Sequence, residues 1–437
     1  MLILFTIGVI LYTIGVSIAA LFGNVKAKQW IKGRRKQIKE LKSLKRKKRN
    51  EAPLAIGDGD WIWFHAASLG EFEQGRPVIE AIKREHPHYK ILLSFFSPSG
   101  YEVRKNYPLA DEVLYLPSDT TLHAKQWLQR HHFVAAFFIK YEFWFNYMKA
   151  LKKNGIPLFY ISLIFSPDSY FFKPYGRWFR KQLSAVTHFF VQDATTEKLL
   201  HEHGFNNVTL CGDTRFDRVA AIAKQAKSFP EIERFINGRK CIIAGSTWPP
   251  DEKLISAFVP KMPEDYCFIL APHDISESHI DQIKAMFPKA VLYSELSDLC
   301  QCHSEAQPSV SIGKEMGIYN VLVVNTIGIL SQLYQYARFV YIGGGFGVNI
   351  HNIQEPVAFG CPVVFGPRYT SFKEAVDLVE RQGAFSINDA SELESVFLRL
   401  MNDETAFAQA SATCRNYLQA QLGATEKVME GFKKYLS

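Results

Sequence analysis

Disulfide and zinc chemistry have little to work with in this sequence. Its 437 residues hold seven cysteines, Cys211, Cys241, Cys267, Cys300, Cys302, Cys361 and Cys414, an odd number and mostly set in apolar runs. They read as reduced core residues. Only Cys300 and Cys302 stand close together, and one close pair without a second does not make a zinc signature, so no metal is expected. Acids are nearly missing from one segment: between Lys26 and Asn50 thirteen Lys or Arg face the single Glu40, a local balance of +12. Since the whole chain carries +8, the remainder carries −4. Basicity gathered in one segment argues against a nucleic-acid-binding body, and no nucleic-acid partner is expected. Beyond that stretch there is no low-complexity tract and no short-period repeat, which excludes solenoids. The dinucleotide fingerprint is missing as well. Gly343, Gly344, Gly345 and Gly347 follow an apolar run, but the next acid, Glu355, lies only ten residues beyond Gly345, whereas the fingerprint needs an acid ~20 residues on. A nicotinamide enzyme is disfavoured.

Charge is also absent from Met1 to Phe22, and what fills that stretch is apolar, MLILFTIGVILYTIGVSIAALF. At 1.5 Å per residue a helix of this length spans roughly 30 Å, the hydrocarbon thickness of a bilayer. A cleaved signal peptide carries its cations ahead of the apolar run, and here they follow it. The positive-inside bias then leaves Lys26 onward in the cytoplasm. The expectation is a single-pass transmembrane anchor at 1–22 and a basic juxtamembrane segment at 23–55. That segment reads equally as a solvated helix that fixes topology or as a contact for anionic lipid.

Further on, apolar and aromatic runs alternate with amphipathic stretches, the rhythm of βαβ units in a parallel sheet. Strands are expected at Trp61–Ala67, Ile91–Phe96, Val113–Leu116, Val134–Ile139, Leu158–Leu163 and His188–Gln192. A polar stretch at Ala223–Pro230 interrupts the pattern. It restarts with Cys241–Ala244, Cys267–Leu270, Val291–Tyr293, Val321–Val324, Phe339–Ile342 and Pro362–Phe365. The fold class is α/β: two Rossmann-like doubly wound domains, 56–225 and 239–403, joined by a linker at 226–238, with the ligand expected in the cleft between them. The last segment, 404–437, reads as a long amphipathic helix packing back across the domains.

Chemistry concentrates where strands end. After Trp61–Ala67 comes Ser68-Leu-Gly-Glu71; read alone, Glu71 is a helix-start acid favoured by the macrodipole. After Phe339–Ile342 the run GGGFGVNIHNIQEP, Gly343 to Pro356, lets backbone N–H groups approach a phosphate, and Glu355 can accept hydrogen bonds from a ribose. Ser246 and Thr247 offer hydroxyls and capping oxygens at a second exit. At a third, Ala271-Pro272-His273, His273 can hold a phosphate as donor. Lys140 and Glu142 leave another strand, and Arg215 lies in GDTRFD. Taken singly, each of these is as readily a surface ion pair. Asp58-Gly59-Asp60 has the form of a metal-binding D-x-D, but it precedes the first strand, where Asp and Gly make turns.

In this order the anchor, the basic collar, HAASLGE, YEFW, GDTRFD, GST followed by acids, and Gly-Gly-Gly leading to His-Asn-x-x-Glu-Pro resemble the 3-deoxy-D-manno-octulosonic acid (Kdo) transferases of lipopolysaccharide assembly, over nearly the whole chain. The resemblance implies the GT-B arrangement of two Rossmann-like domains and an inverting glycosyltransferase that uses CMP-Kdo and a lipid A precursor at the cytoplasmic face of the inner membrane, without a bound metal. It implies Glu71 as general base, with Ser68 and Gly70 as the floor of the acceptor site. On the donor side it implies Ser246, Thr247, Pro272, His273, the loop Ile327-Gly328-Ile329, Gly344, Gly345, Asn352 and Glu355. Lys140, Glu142 and Arg215 are candidate contacts for the transition state or the substrate charge. The family pattern is not kept everywhere. Lys140 stands where the family has an acid, the arginine before His273 is replaced by Pro272, and Ile327-Gly328-Ile329 keeps only the glycine of a Met-Gly-Glu loop. Alternatives from other classes are a membrane glycosyltransferase using a UDP-sugar, a sugar-nucleotide epimerase of the same architecture, and an inactive membrane scaffold.

Overall fold

The structure, a computed structural model, describes residues 1–48, 59–296 and 320–435, with the side chain of Lys36 and those from Ile38 to Lys48 left aside. The Cys300–Cys302 pair, Asp58 and Arg49 fall outside the described residues, and the side chains of the segment's other cations after Gln37 are among those left aside. The chain divides into two units, Met1–Asp217 with Leu422–Ser437, and Arg218–Gln421.

The first unit opens with two helices, α1 (Leu2–Leu21) and α2 (Val25–Lys48). Its sheet holds β1 (Trp61–Ala66), β2 (Lys90–Phe95), β3 (Glu112–Tyr115), β4 (Phe133–Ile139), β5 (Leu158–Leu163), β6 (His188–Val191) and β7 (Val208–Leu210), in the order β3-β2-β1-β4-β5-β6-β7. Every pairing in it is parallel. Parallel neighbours need crossovers, and α3 (Leu69–Glu85), α4 (Pro98–Arg104), α5 (Thr121–Leu128), α6 (Phe145–Lys153), α7 (Arg177–Leu183) and α8 (Ala194–Glu202) supply them; α9 (Arg215–Lys224) follows the last strand. Helices on both faces bury both sides of each central strand, so β4, and β1 apart from His65, are apolar rather than alternating.

The second unit repeats the plan. After α10 (Pro230–Ile236) come β8 (Lys240–Thr247), α11 (Pro249–Phe258), β9 (Tyr266–Pro272), α12 (Glu277–Met286), β10 (Ala290–Leu292) and β11 (Val321–Val323). Then follow α13 (Leu330–Leu333), β12 (Ala337–Ile342), α14 (Gln354–Ala358), β13 (Val363–Phe365), α15 (Lys373–Glu380), β14 (Ala384–Ser386), α16 (Ala390–Asn402) and α17 (Glu404–Gln421). The strand order is β10-β11-β9-β8-β12-β13-β14. Strand order reverses at β1/β4 in one sheet and at β8/β12 in the other, and such switch points open a crevice at the carboxyl ends of the strands. All twelve expected strands form. The two that pattern reading missed, β7 and β14, are three-residue strands at sheet edges, too short and too exposed to carry an apolar signature.

The pattern expected as one helix from Glu404 is two. Gly423, at φ 91°, ends α17, and α18 (Ala424–Lys433) belongs to the first unit. There Phe432 stands edge-on to Phe137 and Phe159, with ring centroids 5.0 and 5.5 Å away. Asp217 fixes the start of α18, its two carboxylate oxygens accepting from the N–H groups of Gly423 and Thr425 at 2.7 and 2.6 Å.

The helix α1 has a mean hydropathy of 2.4 and is long and apolar enough to cross a membrane. It is docked, however, rather than free-standing. Phe5 packs on Phe145, Thr6 accepts from the Asn146 amide at 3.2 Å, and the Thr13 and Ser118 hydroxyls share a hydrogen bond of 3.2 Å. Its opposite face, Ile3, Leu4, Ile7, Ile10, Leu11 and Ile14, is exposed. Neither reading of the basic segment anticipated that its first part is packed. Ala27, Trp30, Arg34 and Gln37 are buried. The Arg34 guanidinium lies 3.7 Å over the Trp30 ring and donates to the carbonyls of Leu116 and Phe96. The Gln37 amide both accepts from Tyr115 N–H and donates to Tyr115 O, as a neighbouring strand would, and so covers the edge of β3.

Replacing Asp217 by Ala removes both capping acceptors of α18, a loss of about 1–2 kcal/mol. We expect a melting point lower by several degrees, measured by thermal unfolding of the detergent-solubilised chain, whereas Asp217→Asn, which keeps one acceptor oxygen, falls between the two.

Candidate active site

In the first unit the switch point places Glu71 and Glu142 beside each other. The backbone leaves β1 at Ala66, and Ser68, in an extended conformation, caps α3. Glu71 reaches back, its carboxylate accepting from the N–H groups of Ala67 and Ser68, while the Ser68 hydroxyl accepts from Glu71 N–H. This reciprocal capping box is the helix-start role open to Glu71 from the sequence. A second property is superimposed on it. Burial, and then the charge of Glu142, push the Glu71 carboxyl up to about 7, against the opposing pull of the Ala67 and Ser68 N–H groups and of Lys140. Such a carboxyl can accept a proton at neutral pH and release it again. At the preceding residue, a side chain built on Gly70 would meet no atom within 4 Å, so the space at that position is open.

Glu142 is held from below. Its Oε2 accepts from the Trp144 indole at 2.7 Å and lies 3.2 Å from Nε2 of fully buried His65. Nδ1 of His65 lies 2.8 Å from the Ser94 hydroxyl, which accepts in turn from the Trp63 indole at 2.7 Å. With the Ser94 O–H donating to Nδ1, His65 donates Nε2–H to Glu142, and the donors run in one direction. His65 and Ser94 were not among the expected site residues; both lie inside apolar strands, where a lone polar residue gives no periodic signal.

Lys140, just after β4, has φ 59°, and Ser162, next to last in β5, has φ 56°, both in the left-handed region that side-chain-bearing residues rarely adopt. Such conformations cluster at functional sites. The Lys140 cation lowers the pKa of both Glu71 and Asp213, so it links the two carboxylates. Arg215 donates to Asp213 Oδ2 through Nε and Nη2 at 2.9 and 2.5 Å. Burial would raise the Asp213 carboxyl, but Arg215 outweighs it and holds it below the ordinary range. The charge of Arg215 is therefore already matched within the unit.

In the second unit Ser246, next to last in β8, has φ 54° and Gly344, after β12, has φ 93°. The two turns nearly touch: a side chain on Gly343 would come within 2.3 Å of the Ser246 carbonyl. Asp251 ties them together, accepting at Oδ2 from Trp248 N–H and Gly344 N–H, both at 2.9 Å, and at Oδ1 from the Tyr341 hydroxyl at 2.7 Å. Asp251 was missed as a site residue, although it is the first of the acids after GST. Thr247, expected to offer its hydroxyl to a ligand, is fully buried and donates to buried Glu252 at 3.0 Å. His273 stacks on both Trp248 and His351, with ring centroids 4.6 Å from each. Asn352 donates to Glu355 at 3.2 Å, Pro272 is buried at the end of β9, and Gly345 lies against the Gly366 backbone. Ile327, before Gly328 and Ile329, stands in solvent, 82% exposed, and joins none of these contacts. Among the described residues no group of three or more His, Cys, Asp or Glu is placed to hold a metal ion.

Residues 31–218 match the family model described as 3-deoxy-D-manno-octulosonic-acid transferase (kdotransferase). The chain is 24% identical over 395 residues to a 3-deoxy-D-manno-octulosonic acid transferase of Chlamydophila psittaci, covering 88% of this chain and 87% of that one. It is 25% identical over 351 residues to the transferase of the same name from Aquifex aeolicus, covering 78% and 86%. Among solved structures it superimposes with a TM-score of 0.59 on a UDP-GlcNAc 2-epimerase from Neisseria meningitidis, at 14% identity, covering 86% of this chain and 100% of that one. That likeness concerns the fold, which is of the GT-B kind.

The raised Glu71 carboxyl has a consequence for stability. A folded-state pKa near 7 against an ordinary value of 4.5 means that the folded chain holds this proton more tightly. The stability it contributes is fully present below pH 4.5 and is lost as pH rises through 7. Glu71→Gln, which keeps the accepting oxygen, is expected to melt at a higher temperature than wild type at pH 8, with the gap closing toward pH 5; thermal unfolding across that range reads it.

Proposed function

We propose that this chain, a glycosyltransferase belonging to the 3-deoxy-D-manno-octulosonic-acid (Kdo) transferase family, moves Kdo from CMP-Kdo to a hydroxyl of a lipid A precursor with inversion at the anomeric carbon. The observation that carries the reading is the sheltered Glu71 carboxyl, raised by burial and by Glu142 and next in the chain to the open position Gly70. As the acceptor oxygen attacks the anomeric carbon, Glu71 takes its proton. The bond from that carbon to the CMP phosphate breaks on the opposite face, and the electron pair leaves with CMP. Lys140 is the cation placed beside Glu71 for a substrate carboxylate or phosphate. Since Asp213 already matches the charge of Arg215, that residue serves by holding Asp213.

The second unit takes the nucleotide. Its turns at Ser246 and Gly343–Gly345 bring backbone close together at the carboxyl ends of β8 and β12, and His273, Asn352 and Glu355 offer polar groups for phosphate and ribose. Preorganised donors there stabilise the charge that builds on the departing phosphate. The exposed apolar face of α1 and the basic segment after it support attachment to an anionic membrane surface on the cytoplasmic side. A single-pass crossing would require α1 to leave Phe145, Asn146 and Ser118.

The test supplies CMP-Kdo and a lipid A precursor to the full chain in detergent or vesicles. Wild type is expected to transfer Kdo with a rate that rises with pH through an apparent pKa of about 7, the value at Glu71. Glu71→Gln and Glu71→Ala are expected to lose roughly 10²–10⁴-fold. Full activity in either variant, or no transfer by wild type, overturns the reading. Competition by CMP rather than UDP separates it from a UDP-sugar enzyme.

A further inference from the structure

One bond in the second unit has no part in the transfer steps above. The Trp248 indole N–H donates to Nε2 of His351 at 2.9 Å. The His273 ring lies 4.6 Å from both, tilted 25° from the indole and 24° from the other imidazole. Indole is a donor only, so Nε2 of His351 is the unprotonated nitrogen, and the neutral ring carries its proton on Nδ1. We propose that Trp248 is a positioning residue that fixes this tautomer, so that His351 offers an Nδ1–H donor to the phosphate of the bound nucleotide. The inference rests on the nucleotide-donor reading above.

The backbone holds both partners in place. Trp248 N–H is bound to Asp251, and His351 N–H donates to the Gly343 carbonyl at 3.1 Å. Gly344 lies under the ring, where a side chain would come within 3.1 Å of His351 Cδ2. Adding a proton to Nε2 would set two N–H groups against each other, so the indole also opposes the cationic ring. Of the ionisable groups His273, after β9, faces His351 directly, while Asp251 on α11, Glu355 on α14 and Arg368 after β13 bind its chain neighbours Gly344, Asn352 and Gly347. Burial, and then the charge of His273, hold His351 below the ordinary imidazole range. A donor fixed in advance strengthens its bond as charge grows on the departing phosphate, with no proton to take up first.

The test uses the full chain labelled with ¹⁵N-histidine, read by nitrogen shifts in the absence of ligand and by CMP binding across pH. Trp248→Phe keeps a stacking ring without the N–H, and Trp248→Leu removes both. In wild type His351 is expected to be protonated at Nδ1 and to bind CMP evenly from pH 6 to 8. In Trp248→Phe the tautomers mix and the His351 pKa rises by about one unit, a tenfold change in protonation. CMP affinity then falls several-fold at pH 8 and recovers on acidification, and the KM for the donor rises more than kcat falls. A wild-type His351 protonated at Nε2 overturns the proposal. So does a Phe variant that matches wild type while only the Leu variant fails, since stacking would then suffice. A wild type with the stated tautomer that does not bind CMP instead overturns the donor reading.

Discussion

Two carboxylates, Glu71 and Glu142, share one shelter at the carboxyl ends of β1 and β4, and the cost of ionising both there shapes the first unit. Burial pushes the Glu71 carboxyl toward its neutral form, and the charge of Glu142 adds to that push. The Trp144 indole and the His65 ring meet Glu142, while Glu71 is left with two backbone N–H groups and the nearby Lys140. The second carboxyl therefore holds its proton up to about pH 7. The placement follows from topology. In a sheet of order β3-β2-β1-β4-β5-β6-β7 the strands flanking the reversal must send their connections to opposite faces, and the side chains that leave them meet over the gap.

The second unit uses the same topological fact for a different end. Where the first gathers charge, the gap between β8 and β12 gathers backbone: two turns in left-handed conformations, held together by one acid, Asp251. That acid is satisfied by three donors, and its role is to hold turns rather than to react. Above it stand the rings of Trp248, His273 and His351. On the proposed reading one unit serves proton transfer and the other holds an anion, a division of labour that a glycosyltransferase requires.

Much of this was legible in the sequence because buried parallel strands announce themselves as apolar runs and their exits as small or polar residues. Trp61–Ala66 followed by Ser68 and Glu71, and Phe339–Ile342 followed by glycines, are examples. What escaped were residues whose role depends on a distant partner. Asp251 reads as an ordinary helix-start acid until Gly344 N–H is seen at its oxygen. Arg34 reads as one of thirteen cations until its guanidinium is found buried over Trp30. His65 and Ser94 sit in register on β1 and β2, a pairing that only the sheet reveals. For Thr247 composition pointed outward, whereas the fold turned its hydroxyl inward to Glu252.

The account depends most on the claim that Glu71 is held near neutrality by its shelter and by Glu142. The direct measurement is a carbon NMR titration of the chain labelled at glutamate carboxyls, with Glu71→Gln for assignment and Glu142→Gln as the perturbation. The account predicts that Glu71 titrates close to pH 7 in wild type and moves clearly downward in Glu142→Gln. A Glu71 that titrates at the ordinary 4.5 in wild type, or does not respond to the loss of Glu142, contradicts it.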